Sequence, residues 1–154
     1  MLAPGTPAPD FKAATVDGRL VSLADYIGTK AIVVYFYPRD DTLGCRIEAC
    51  GFRDAYQEFV DAGAEVIGIS IDPLSSHAAF RAKYELPFVL ASDVDQRIAN
   101  AYGVATRLFG VGGRATFVID RRGIIRDAFS SSFRVRTHVS RALQVVRALR
   151  AESA

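Results

Sequence analysis

Tryptophan is missing from this 154-residue chain, methionine occurs once, and only two cysteines and two histidines are present. Two cysteines are too few for the disulfide framework that staples small secreted domains. A structural zinc site wants four ligands. His77 and His138 lie far from each other and from the cysteines along the chain, so a metal site is not expected. No apolar run approaches the ~20 residues that cross a bilayer. The opening residues, Met1 to Asp10, lack the basic and apolar regions of a signal peptide. An excess of one charge is absent too: 19 Lys and Arg face 17 Asp and Glu, for a net +2. That balance leaves no footprint for nucleic acid. The expectation is a soluble, cytoplasmic protein that engages neither nucleic acid nor membrane.

What is present points to a packed domain. Half of the residues are hydrophobic and 10% are aromatic, which excludes disorder. The length suits one domain over residues 1–154 that buries most of the surface its unfolded chain exposes. The densest basic stretch is Arg134, Arg136, Arg141, Arg147 and Arg150. Val135, Val139, Ala142, Leu143, Val146 and Leu149 recur at helical spacing between them, so these arginines read as the wet face of a docking helix.

Two continuous apolar runs, Ala31–Tyr37 and Glu65–Ile71, read as strands buried on both faces. Between them a helical pattern opens at Thr42, carries Phe52, Tyr56, Phe59 and Val60, and stops at Gly63. A helix capped by Ser75 or Ser76 runs to about Tyr84, a short strand covers Phe88–Leu90, and a short helix starts at Asp95. Asp17-Gly18 and Arg121-Arg122-Gly123 mark two hairpins. The order is a hairpin, then β-α-β-α-β-α, then a hairpin and a final helix. It implies an α/β fold with a central mixed sheet flanked by helices and an N-terminal β-hairpin extension. A thioredoxin-like architecture fits that order, and so do other α/β sandwiches.

The segment Phe36-Tyr-Pro-Arg-Asp-Asp-Thr-Leu-Gly-Cys45 leads from the end of a buried strand into the start of a helix, where ligands of α/β sheets bind. With Thr42 as N-cap, Cys45 takes the third helical position. A thiolate there accepts backbone hydrogen bonds and feels the positive end of the helix dipole, and both favour the ionised form. Complete ionisation of an ordinary thiol raises its thiolate population at neutral pH only about thirtyfold. A reactive site therefore also needs donors that stabilise charge in the transition state.

Pro38-x-x-x-Thr42-x-x-Cys45, with Cys50 after it and Arg114 before the Ala115–Asp120 strand, resembles the active-site pattern of the peroxiredoxins, and the longer string from Phe36 to Asp54 resembles their bacterioferritin-comigratory, or Q-type, branch. The similarity runs from Pro7-Ala-Pro-Asp-Phe11 to Asp120. It implies a thioredoxin-like fold and a peroxidase that works without metal, haem or flavin. By the same resemblance Cys45 is the peroxidatic cysteine and Cys50 the resolving one, pairing within one chain. Thr42 and Arg114 hold the peroxide, Pro38 shields the pocket, and Glu48 helps to position the arginine. Leu43 stands where the branch often has proline. The implied partners are a peroxide and thioredoxin or a similar dithiol, and monomer or weak homodimer both fit.

Other readings compete with that one. Glu48 also reads as an exposed carboxylate near the start of its helix, Phe36 and Tyr37 as core, and His77 and His138 as incidental. A thiol–disulfide reductase on the same fold would use Cys-x-x-Cys, whereas four residues separate Cys45 from Cys50. A non-catalytic redox sensor is the third reading, and the intact cysteines and Arg114 argue against it. If both cysteines ride one regular helix, their Cα atoms stand ~8–9 Å apart. A disulfide tolerates about 7 Å, so joining them requires the helix to unwind between about Thr42 and Arg53.

Overall fold

The computed structural model describes residues 1–104, 114–131 and 134–153. Strand β3 (Ala31–Phe36) lies at its centre with all six residues buried. It pairs in parallel with β4 (Ala64–Ser70) and antiparallel with β6 (Ala115–Ile119). Being covered on both faces, β3 needs apolar side chains at every position, and its run of Ile, Val and aromatic residues supplies them.

Alternate residues of β3 feed two cores. Ala31, Val33 and Tyr35 face one cluster, which takes in α1 (Leu43–Asp61), α2 (Leu74–Tyr84) and α4 (Val135–Ser153). Ile32, Val34 and Phe36 face the other, built from Phe11, Val21, Tyr102 and Ile98 of the short helix α3 (Arg97–Ala101). The complete sheet runs β2-β1-β5-β4-β3-β6-β7, with β1 (Lys12–Thr15), β2 (Leu20–Ser22), β5 (Val89–Ser92) and β7 (Ile125–Ser130). Strands β5, β4 and β3 are parallel, and the pairs outside them are antiparallel, as the element order implies. The N-terminal hairpin is less an extension than one end of this sheet, because β1 pairs with β5 through Ala14↔Ser92 and Thr15↔Ala91. Gly18 and Gly123 turn the two hairpins at φ +79° and +84°, a region that favours glycine.

Three local readings of the sequence are corrected. Helix α2 is N-capped by Pro73, not by Ser75 or Ser76, because the Ser76 hydroxyl donates to Asp40 instead. Helix α3 starts at Arg97 rather than Asp95. Its free amides on Ile98 and Ala99 donate to the Asp93 carboxylate, at 3.0 and 2.9 Å. Val60 points to solvent and stays 38% exposed, so the apolar face of α1 is narrower than its sequence suggests.

Helix α1 is fastened to the sheet chiefly by rings. Phe52 is fully buried and stacks on Tyr35 with centroids 4.6 Å apart, with Phe59 and Phe88 against its other sides. Helix α4 closes over α1, with Ala142, Val146 and Leu149 buried and Arg134, Arg136, Arg141, Arg147 and Arg150 exposed, the division its sequence predicts. Among the described residues, no helix is long and apolar enough to cross a membrane. Phe52→Ala is expected to cost about 3–5 kcal/mol, the range for deleting a buried ring. A urea midpoint that moves without a change in slope would show it.

Candidate active site

Strand β3 ends at Phe36, and the chain crosses Tyr37–Thr42 before entering α1. Thr42 is the N-cap, so Cys45 stands third in the helix as the sequence implies. The first intrahelical bond runs from the Arg46 N–H to the Thr42 carbonyl, 2.8 Å. The three amides before it, including that of Cys45, have no partner within the helix and leave positive dipole ends around the sulfur. Cys45 itself is 1% exposed.

The antiparallel register that puts Phe36 opposite Ala115 also delivers Arg114 to this spot. Arg114 immediately precedes β6, so its side chain starts beside the end of β3. Its Nη2 donates to Cys45 Sγ at 3.3 Å, and its Nη1 donates to Glu48 Oε1 at 2.6 Å. Glu48 follows Cys45 by three residues and so shares its helix face. Reading Glu48 as an exposed carboxylate is overturned, because it is fully buried and bound to Arg114. The amphipathic pattern of α1 hides this, since a buried carboxylate looks like a wet one until its partner arrives from 66 residues away.

Burial pushes the Glu48 carboxyl up to about 8, against the opposing pull of Arg114. Burial also works against the Arg114 charge, but Glu48 and Cys45 outweigh it and hold the guanidinium above its ordinary range. His138, read as incidental, is buried behind this pair. Its Nε2 donates to the Ser131 carbonyl at 2.8 Å, and its Nδ1 lies 2.7 Å from the Thr116 hydroxyl. Nδ1 accepts there, because burial lowers the imidazole to about 4 and keeps it neutral. The 3.7 Å approach of His138 to Glu48 Oε2 is therefore not an ion pair.

Thr42 and Pro38 flank the sulfur in sequence, and the structure treats them differently. Pro38 is half-buried, next to the buried Tyr37. Thr42 is exposed, and its hydroxyl donates to the Arg39 carbonyl at 3.1 Å rather than capping an amide, so the expected side-chain cap is corrected. Cys50 is half-buried and, like Cys45, a free thiol. Both sit on the unbroken helix α1, at the separation that forbids a disulfide without backbone movement.

Sequence reasoning takes Gly44 and Gly51 as weak points of the helix beside the cysteines and misses the closeness of Gly44 to Arg114. A Cβ on Gly44 would meet Arg114 Nη2 at 3.0 Å, so a side chain at this position would press on the guanidinium where it contacts the sulfur. It also missed a buried network on the loop. Asp40, Asp72 and His77 place polar atoms within 4.8 Å of one another, and hydrogen bonds already engage all three.

The profile of the AhpC/TSA family matches residues 4–128. Peroxiredoxin Q, chloroplastic, of Oryza sativa subsp. japonica is 44% identical over 146 residues, covering 94% of this chain and 67% of the relative. This chain thus spans about two thirds of that protein's length. Among solved structures, peroxidoxin BcpB of Mycobacterium tuberculosis matches with a TM-score of 0.90 and 34% identity, over 97% of this chain and 99% of that one. A bacterioferritin comigratory protein of Xanthomonas campestris, described by its alkyl peroxide reduction activity, matches at 0.84 with 27% identity, over 97% and 98%.

Gly44→Ala separates helix stability from site geometry. Alanine favours a helix interior by about 1 kcal/mol over glycine, so the fold should hold or gain. The methyl group displaces Arg114, and alkylation of Cys45 by iodoacetamide should slow several-fold. A variant that alkylates as fast as the wild type would show that the close approach does not matter.

Proposed function

This chain belongs to the AhpC/TSA family, and on that premise we propose how it works as a thiol peroxidase. The observation that carries the reading is the 3.3 Å contact between Arg114 Nη2 and a cysteine sulfur at a helix N-terminus. The Cys45 thiolate attacks one peroxide oxygen. The S–O bond forms, the O–O bond breaks, and the leaving oxygen takes a proton to depart as water or an alcohol. Cys45 is left oxidised as a sulfenic acid. Arg114, already charged and dry, stabilises the charge that moves onto the leaving oxygen, with Thr42 contributing its hydroxyl and Pro38 limiting water. Glu48 positions Arg114.

The Cys50 sulfur then attacks Cys45, an S–S bond forms and water leaves. Thioredoxin or a similar dithiol reduces the disulfide and is itself oxidised. The protein needs no cofactor in this cycle. Both cysteines belong to one chain and one domain, so a monomer or weak homodimer suffices. The cycle runs wherever a dithiol reductant is present, as in the expected cytoplasm; the plant relative is named chloroplastic.

Peroxide consumption coupled to thioredoxin, thioredoxin reductase and NADPH tests the cycle. Cys45→Ser should abolish turnover, and Arg114→Ala should lower it at least tenfold, as expected for losing one charge-stabilising donor. Cys50→Ser should form the sulfenic acid and fail to recycle. Appreciable turnover by Cys45→Ser would sink the assignment.

Resolution also has a pH dependence. Glu48 lies between the two cysteines, so unwinding that stretch moves its carboxyl from the core into water. In the wound helix it titrates at about 8, against an ordinary value of 4.5. The wound form therefore binds the proton more tightly, and between those values each rise in pH weakens the wound helix relative to the open one. Disulfide formation after one equivalent of peroxide should accelerate from about pH 5 to about pH 8. Glu48→Gln should show a shallower profile, left with thiol ionisation alone. Equal slopes in stopped-flow traces would remove Glu48 from the resolving step.

A further inference from the structure

Outside the residues that touch Cys45, the most heavily bonded polar group near the site is Asp40, whose side chain is only 3% exposed. It lies in the loop between β3 and α1, two residues after Pro38 and two before Thr42. The Tyr37 hydroxyl donates to its Oδ1 at 2.6 Å, and the Ser76 hydroxyl donates to its Oδ2 at 2.9 Å. His77 Nδ1 lies 2.7 Å from the same Oδ2. The Asp40 N–H donates to Asp72 Oδ2 at 2.7 Å, and Asp72 is itself fixed by the Ser70 hydroxyl at 2.6 Å. Every partner beyond Tyr37 comes from β4, α2 or the turn between them. The loop is thus tied across the top of the sheet.

The proton count at His77 follows from the same distances. Its Nε2 faces the Ala91 carbonyl at 3.1 Å, and a carbonyl only accepts, so Nε2 carries a hydrogen. A bare Nδ1 would oppose a carboxylate lone pair at 2.7 Å with nothing between them. A hydrogen therefore lies between Nδ1 and Oδ2, in a bond between two buried side chains. Histidine also joins this loop to β5, on the far side of β4.

We propose that Asp40 and His77 are positioning residues for the Cys45 site, holding the Pro38–Thr42 loop in register while α1 winds and unwinds beyond it. The proposal rests on the peroxidase reading above. The other ties between this region and α2 are exposed or lie within the stretch that must open. Asp41 bonds Lys83 and Tyr84 at the surface, and Arg46 and Arg53 reach Tyr84 from α1 itself. The Asp40 cluster is buried, and it precedes the first residue that must move. It fixes the side of the pocket that carries Pro38, and it leaves the disulfide step alone.

Each bond of His77 can be kept separately, because an asparagine amide nitrogen falls near the place of Nδ1 and a glutamine amide nitrogen near that of Nε2. Single-turnover stopped-flow resolves sulfenic acid formation from disulfide formation. His77→Gln, which keeps only the tie to Ala91, should slow the reaction of Cys45 with peroxide by about 10- to 100-fold, as misplacement from a distance can. His77→Asn should recover to within about threefold of the wild type, and disulfide formation should be unchanged in both. A Gln variant as fast as the wild type, or Asn and Gln variants slowed alike in both steps, would overturn the proposal. A wild type inert to peroxide overturns the peroxidase reading, and this proposal with it; a reactive wild type matched by His77→Gln overturns this proposal alone.

Discussion

A guanidinium removed from water has to find hydrogen-bond acceptors inside the protein, or the cost of desolvation unfolds the site. Arg114 finds two, the carboxyl of Glu48 and the sulfur of Cys45, both on one face of α1. Much of the surrounding structure serves that meeting. The antiparallel pairing of β6 with β3 brings the arginine to the end of the sheet. Gly44 leaves space for its approach, and α4 lays a neutral His138 behind it instead of a second cation. In the proposed cycle Arg114 also ties chemistry to folding, since its contact with the sulfur also holds the first turns of the helix against the core.

That coupling creates a tension between the two halves of the proposed cycle. The peroxide step depends on an intact first turn, with amides and guanidinium converging on the sulfur. The resolving step depends on losing that turn, because two positions five residues apart on a helix cannot be bridged. Phe59 anchors the turns beyond Arg53 among buried rings, whereas the stretch that opens has to take Cys45, Glu48, Ala49 and Phe52 out of buried positions. The carboxyl that must leave the core is also the group that burial has made easiest to protonate. In the proposed cycle this opening stays local to the start of α1 and leaves the strands beneath paired.

How much of this could be read along the chain depends on the range of each interaction. The strands, the two hairpin turns, the stop at Gly63 and the position of Cys45 were legible because each is local. Alternation, helical spacing and turn residues act over a few positions, and they determined the mixed sheet and the reactive helix end. The resemblance added Arg114 and the intended role of Glu48. It did not reveal that Glu48 is fully buried, since helical spacing alone assigns a carboxylate to water.

What the tertiary structure decided is the set of contacts between residues far apart in sequence. Glu48 and Arg114 meet across 66 positions, and Asp40 and His77 across 37. Before folding, the ionisable groups of both pairs look like ordinary surface charges or incidental histidines. Only the crossing of β3 by β6 and the docking of α2 remove them from water, and removal from water is what makes a charge choose one partner. The sequence by itself determined that a cysteine would stand at a helix N-terminus beyond the end of a buried strand. Which charges surround it, and which loop is held still beside it, followed from burial that no local pattern encodes.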